Sequence, residues 1–202
     1  MAVVSIKNKL RRGNLLVGNE AYDPGGFVPI ATVTVGSGGA STVEFTSIPS
    51  TYTHLQVRCF VQTNRGTYGV DSMRLGVNAD TSSSYAYHYL RGSGSSVVGA
   101  SSTSLTTITE ISTVGCGTTT GGTFGVSIID IFDYANTNKY KTFRNLNGTD
   151  INGTIASVGG FISLVSALWM KTDAITSLKF TPDSGTAFTN YSRFALYGIK
   201  GA

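Results

Sequence analysis

The stretch Ile30-Ala31-Thr32-Val33-Thr34-Val35, closed by Gly36-Ser37-Gly38-Gly39 and followed by Thr42 to Ile48, decides the fold class. In an extended chain Ile30, Thr32 and Thr34 fall on one side and Ala31, Val33 and Val35 on the other, a period of two that a strand supplies and a helix does not. A glycine turn between two such runs predicts a hairpin. Ile48-Pro49-Ser50 then ends the second strand, because proline donates no ladder hydrogen bond.

Downstream, the same pattern recurs at 54–62, 71–77, 85–91, 105–114, 124–133, 139–146, 161–169, 175–181 and 191–199. The separators are turn-like: Asn78-Ala79-Asp80, Gly92-Ser93-Gly94, Asn136-Thr137-Asn138, Asn147-Gly148, Asn152-Gly153 and Pro182-Asp183-Ser184-Gly185. Many short strands, no long helical pattern and no fixed-period repeat predict an all-β chain, an antiparallel β-sandwich of jelly-roll-like type over residues 28–202. The 202 residues suit one such domain preceded by an extended N-terminal arm.

The arm, residues 1–27, differs in charge. Lys7, Lys9, Arg11 and Arg12 stand there with no acid in the first twelve residues, which leaves 11 basic against 11 acidic residues in the rest of the chain. The net charge of +4 is therefore that of the first twelve residues, at the start of the arm. Ile6 and Leu10 are spaced for one side of a short helix, but Gly13, Gly18 and Asp23-Pro24-Gly25-Gly26 stop it, and so short a helix is marginal in water. The arm is expected to order against a partner surface through Lys7, Lys9, Leu10, Arg11, Arg12, Leu15, Leu16 and Val17. The apolar run Leu15-Leu16-Val17 directly after the charges points to a protein partner rather than nucleic acid, whose phosphates need no such run.

Several functions find no support in the residues. The most apolar stretch, Phe161 to Met170, is far shorter than the roughly 20 residues of a spanning helix, so no membrane insertion is expected. No apolar run of signal-peptide length follows Lys7 to Arg12, and export by that route is not expected. There is no HExxH, no CxxC pair and no P-loop, which leaves no metal or cofactor site to assign. His54 and His88 sit in no nucleophile motif, and His54 reads as a strand-start residue. Asp130 and Asp133 are separated by an odd number, so a strand points them to opposite faces, with Asp133 opening the next turn. No catalytic residue is assigned. The two cysteines are too few for a disulfide framework, and Cys59 shares a face with Leu55, Val57 and Val61 as a small buried hydrophobe.

Two constellations remain. In Tyr85-Ala86-Tyr87-His88-Tyr89-Leu90 the three tyrosines share one strand face, giving a ledge suited to a sugar, to a neighbouring subunit or to the core. In Tyr191 to Ile199 both faces carry bulky apolar groups, with Tyr191, Ala195, Tyr197 and Ile199 on one and Phe194 and Leu196 on the other. A strand covered on both sides is expected, with Tyr191, Phe194, Leu196, Tyr197 and Ile199 as a candidate subunit interface.

Four segments carry a resemblance. Ser5 to Leu10 with Leu15 to Asn19, Phe45-Thr46-Ser47-Ile48-Pro49-Ser50-Thr51-Tyr52-Thr53-His54-Leu55-Gln56-Val57-Arg58, Asp133-Tyr134-Ala135-Asn136-Thr137-Asn138-Lys139-Tyr140-Lys141-Thr142, and Phe194 to Gly201 resemble a family of tailed-phage virion proteins from aquatic bacteriophages. The resemblance spans nearly the whole chain and contains no catalytic motif. It implies a jelly-roll-like module on a virion surface, made in the host cytoplasm: a tail-fibre or spike-type appendage, or a capsid decoration protein. The expected partners are capsid, portal or tail proteins and further copies of the chain, with a trimer favoured; as a fibre or spike it would present loops or the ledge of Tyr85, Tyr87 and Tyr89 to a host surface glycan. The rival of another class is a polysaccharide-cleaving enzyme, which needs two carboxylates facing one cleft.

Overall fold

The computed structural model describes residues 15–17, 20–22, 26–66, 68–117, 122–155 and 158–201; the side chains of 15–17, 20–22, 152–155 and 158–159 are outside the description. Two short strands, β1 (Leu15–Val17) and β2 (Glu20–Tyr22), pair antiparallel as a separate hairpin, with Leu15 opposite Tyr22. The sequence reading places no strand there. Twelve strands follow in one sheet: β3 (Phe27–Thr34), β4 (Val43–Phe45), β5 (His54–Thr63), β6 (Val70–Val77), β7 (Tyr85–Gly92), β8 (Val97–Leu105), β9 (Ile108–Cys116), β10 (Gly125–Phe132), β11 (Lys141–Ile155), β12 (Val158–Trp169), β13 (Leu178–Pro182) and β14 (Arg193–Ile199). Among the described residues no helix is long and apolar enough to cross a membrane.

The all-β expectation holds, and the pairing is almost wholly antiparallel. The strands run β4-β13-β6-β9-β5-β10-β11-β12-β7-β8, and β14 joins the other edge of β5 and carries β3. The parallel contact is the short one between β5 and β9, at Gln62 with Gly115 and Thr63 with Cys116. That contact is a fold line. Past it the wing β4-β13-β6-β9 lies over the longer row β3-β14-β5-β10-β11-β12-β7-β8, bringing Phe180 of β13 to 5.4 Å from Phe194 of β14 between ring centroids.

Strand alternation fills the space between the layers. Leu55, Val57, Cys59 and Val61 of β5 meet Met73, Leu75 and Val77 of β6, while Ile129, Ile131, Phe143 and Trp169 close the core from the longer row. Apart from Cys59, each is a β-branched, aromatic or Leu/Met side chain, and burying one contributes about 1.5–3 kcal/mol. Lys141 is also buried: its ammonium donates to the carbonyls of Asn136, Lys139 and Thr172, the last two at 2.9 Å, and so fastens the turn after β10 to the loop after β12.

A second, polar zone lies where β9 crosses β11. β9 pairs with β6 along one edge; its other edge meets β5 at Gly115 and Cys116, and at Ile111 and Thr113 it is closed by side chains instead of a strand. Asn147 accepts the Thr113 N–H at 3.2 Å, Thr149 donates to the Thr113 carbonyl at 3.2 Å, and Asn145 donates to the carbonyl of Ile111. A buried main-chain edge without such partners would be costly, since each stranded group forfeits about 1–3 kcal/mol. The approach is close enough that a Cβ at Gly125 would stand 2.8 Å from the Val114 Cα.

β11 corrects two turn readings. Asn147-Gly148 and Asn152-Gly153 read as turns, yet both lie inside β11, which pairs with β12 as far as Ile155 with an irregularity between Asp150 and Ile155. Asn147 is held extended by its cross-layer bond to β9. β8, built of Gly, Ser, Thr and Val, was not expected; it is an exposed edge strand held by main-chain pairing with β7. Pro29 falls in β3, another edge strand, at a register irregularity where proline is tolerated.

Candidate functional site

The tyrosine ledge exists in reduced form. Tyr85 is fully buried: its ring stacks on Trp169 at 6.5 Å, and its hydroxyl accepts the Val77 N–H at 3.1 Å and donates toward the Asp80 carbonyl at 3.0 Å. Burial pushes its hydroxyl pKa up to about 12. It is therefore a core residue and touches no ligand. Tyr87 and Tyr89 are half-buried, with ring centroids 6.1 Å apart and planes within 10°.

Arg91 completes this ledge. Its guanidinium lies 4.3 Å from the Tyr89 ring and 5.3 Å from Phe161, bonds Glu110 at 2.7 Å, and reaches the Ser163 hydroxyl at 3.3 Å. Glu110 in turn accepts from Ser72. The charge is thus held in place by four neighbours, beside two aromatic rings at the overhanging end of the longer row. Such a set can stack a sugar face and hydrogen-bond its hydroxyls. Arg91 escaped the sequence reading because, in a strand, only the same-face position two residues after Tyr89 marks it.

The inner face of the C-terminal strand is covered, and by its own chain; the outer face is half-buried. β14 sits between β3 and β5, and Phe194 and Leu196 point into the core of the protomer, so they are not subunit-interface residues. On the other face Tyr197 meets Phe27 edge-on at 6.5 Å and Arg58 at 5.3 Å, and Ile199 is half-buried. Tyr191 is 71% exposed in the turn before the strand. Of the arm residues, Lys7, Lys9, Leu10, Arg11 and Arg12 lie outside the described residues, and Leu15, Leu16 and Val17 are described only as the backbone of β1.

The titratable groups hold structural posts. His54 begins β5, and its Nδ1 accepts the Asp133 N–H at 2.9 Å. Asp133, at φ 48°, opens the turn after β10 and pairs with Lys139; Asp130 lies on the outer face, bonded by Gln56 and Arg144 at 2.8 Å each. Asp80 accepts from Ser82, Ser84 and Trp169; burial pushes its carboxyl up, but these hydrogen bonds outweigh it and hold the group below the usual carboxylate range. Cys59 and Cys116 are both buried, and burial raises both thiols, Cys116 to about 11. Among the described residues no three His, Cys, Asp or Glu side chains gather to hold a metal.

No family model, no curated protein and no solved structure matches this chain.

The largest feature was not anticipated from the sequence. On the outer face of the longer row, Ile128, Leu146, Leu164 and Leu90 lie side by side across β10, β11, β12 and β7, 44% to 55% exposed. The next row toward the β5 end adds Phe60, Val126 and Ile162, and a shallow depression of about 620 Å³ opens there, with Gly92 and Gly148 in its lining. The pattern is inverted: Asn145, Asn147 and Ser163 are buried beneath β9, and the leucines between them face outward.

Proposed function

We propose that this chain is a non-enzymatic structural protein of a tailed-phage virion. Its N-terminal arm attaches it to capsid, portal or tail proteins, and its β domain is displayed at the particle surface as a short fibre or spike-type appendage. The observation that carries this reading is the division of labour along the chain. The core of the described body runs from Val35 to Leu196, while the unbalanced charge and the run Leu15-Leu16-Val17 lie before it. The resemblance of four segments to virion proteins supports the same reading, and the fold-over of the sheet into two layers supports its jelly-roll-like part.

Tyr87, Tyr89 and Arg91 are the proposed contact for a host surface glycan. The apolar outer face favours a second reading, a decoration protein bracing capsomers, because a broad apolar surface suits a protein neighbour better than a sugar. A polysaccharide-cleaving role gains nothing from Asp130 and Asp133, each tied up in an ion pair.

Gold-labelled antibody against the β domain, applied to purified particles, tests the proposal. Label at fixed positions on infectious virions is expected, on tail appendages for the first reading and over the shell for the second. Particles free of the protein would refute both.

A further inference from the structure

We propose that the outer face of β10, β11, β12 and β7 is a homodimer interface in which a second copy of this chain packs by two-fold symmetry. The inference sharpens the expectation that further copies of the chain are partners, but it concerns the purified chain and does not depend on a virion.

Three observations name the occupant. The half-exposed apolar side chains put on the order of 500–600 Å² of apolar surface in one patch, at the top of the range for an ordinary monomer and close to one partner's share of a standard interface once a polar rim is added. That rim mixes signs, with Arg58, Arg144 and Arg193 against Asp130 and Asp150, so a second identical face meets no large repulsion.

The third is shape. Across neighbouring strands one row reads Val126, Gly148, Ile162, Gly92, each the register partner of the next, so knobs alternate with grooves. Knobs are two strands apart, about 9.6 Å, and so are the grooves. A two-fold axis midway between β11 and β12, along the strands, maps β10 onto β7 and β11 onto β12. It sets Val126 over Gly92 of the second copy and Ile162 over its Gly148.

The fold itself does not ask for these glycines. Neither has a left-handed φ; a Cβ at Gly148 would meet only the Phe161 carbonyl at 3.8 Å, and one at Gly92 only the Ile162 side chain at 3.6 Å, both ordinary contacts. Glycine inside a strand weakens it and often marks close approach by another chain. The same operation places Ile128 opposite Leu90 and keeps the two Ile128 side chains about 14 Å apart across three strands. The contact is two-fold, where the sequence reading favours a trimer.

The test uses the full chain in sedimentation equilibrium at micromolar concentration, with Gly148→Val beside wild type. Wild type is expected to dimerise, and Gly148→Val to weaken dimerisation about 30-fold or more while unfolding, in protein dilute enough that both are monomeric, at a midpoint no lower than wild type. In a second measurement Ile128→Cys and Leu90→Cys proteins are oxidised together and separately, the native cysteines being buried. Disulfide dimers are expected in the mixture and not in either protein alone. A monomeric wild type, as when the chain's own arm covers the face, overturns the proposal. So does a dimer that survives Gly148→Val, or cross-linking of the separate proteins equal to the mixture.

Discussion

Replacing Asn147 by Ala is expected to cost more stability than replacing its neighbour Leu146 by Ala, against the usual ranking of a polar and an apolar residue. Asn147 is 3% exposed, and its amide oxygen accepts the N–H of Thr113 across the layers. Truncation strands that buried donor, at about 1–3 kcal/mol, and leaves a small void worth about 1 kcal/mol more. The sum is about 2–4 kcal/mol, or about 4–16 °C in Tm for a chain of this size. Leu146 is 54% exposed on the outer face, so its truncation forfeits about half of a full leucine burial, roughly 0.7–1.5 kcal/mol, and opens no enclosed cavity. Urea unfolding followed by fluorescence of Trp169, the one tryptophan, measures both variants; dilute protein keeps association out of the comparison. If Leu146→Ala proves as costly as Asn147→Ala, the side-chain closure of the β9 edge is not what holds the layers together.

Further outcomes follow from other parts of the molecule. Lys141→Met should destabilise by about 2–4 kcal/mol, because the carbonyls of Asn136, Lys139 and Thr172 lose a charged donor, and thermal unfolding reads it directly. Asp80 has a folded-state pKa below its unfolded value, so its contribution is complete above the ordinary carboxylate range and is lost as pH falls below about 4 toward the folded value. Asp80→Asn should therefore flatten the acid limb of a stability-against-pH curve, and an unchanged acid limb would contradict the hydrogen-bond assignment. Tyr87→Ala or Tyr89→Ala should abolish binding to host polysaccharide with the fold retained, while Tyr85→Phe should lower Tm and leave binding alone; retained binding in both ledge variants removes the glycan role. Replacing Leu15 and Leu16 with Ser should reduce incorporation into particles at least as much as neutralising Arg11 and Arg12, since apolar burial outweighs exposed ion pairs.

The strands that alternate over a one-sided apolar face were legible in the sequence. β6 buries Met73, Leu75 and Val77 and turns Arg74 outward, and β5 begins at His54 as its pattern requires. Hidden from that logic were the elements whose stability comes from main-chain bonds or from polar side chains. β8 has almost no apolar alternation and survives as the partner of β7, and Asn147-Gly148 in β11 carries turn chemistry that cross-layer hydrogen bonding overrides. The site was harder still. Leu146, Leu164 and Ile162 become one surface only when β11 and β12 are set in register, and Asn145, Asn147 and Ser163 look like surface residues until β9 is laid over them. For Tyr85 the alternatives stay open in the sequence, because periodicity puts three tyrosines on one face without saying where that face passes from overhang to core.

Lysine-directed cross-linking of purified virions, read by mass spectrometry, tests the central claim most directly. Lys7 and Lys9 sit in the arm, while Lys139, Lys171, Lys179 and Lys200 lie in the body and Lys141 is buried. The account predicts that Lys7 and Lys9 couple to a different virion protein and that the body lysines couple mainly to other copies of this chain. Arm lysines joined only to lysines of the chain's own body, in particles that contain the protein, would contradict it.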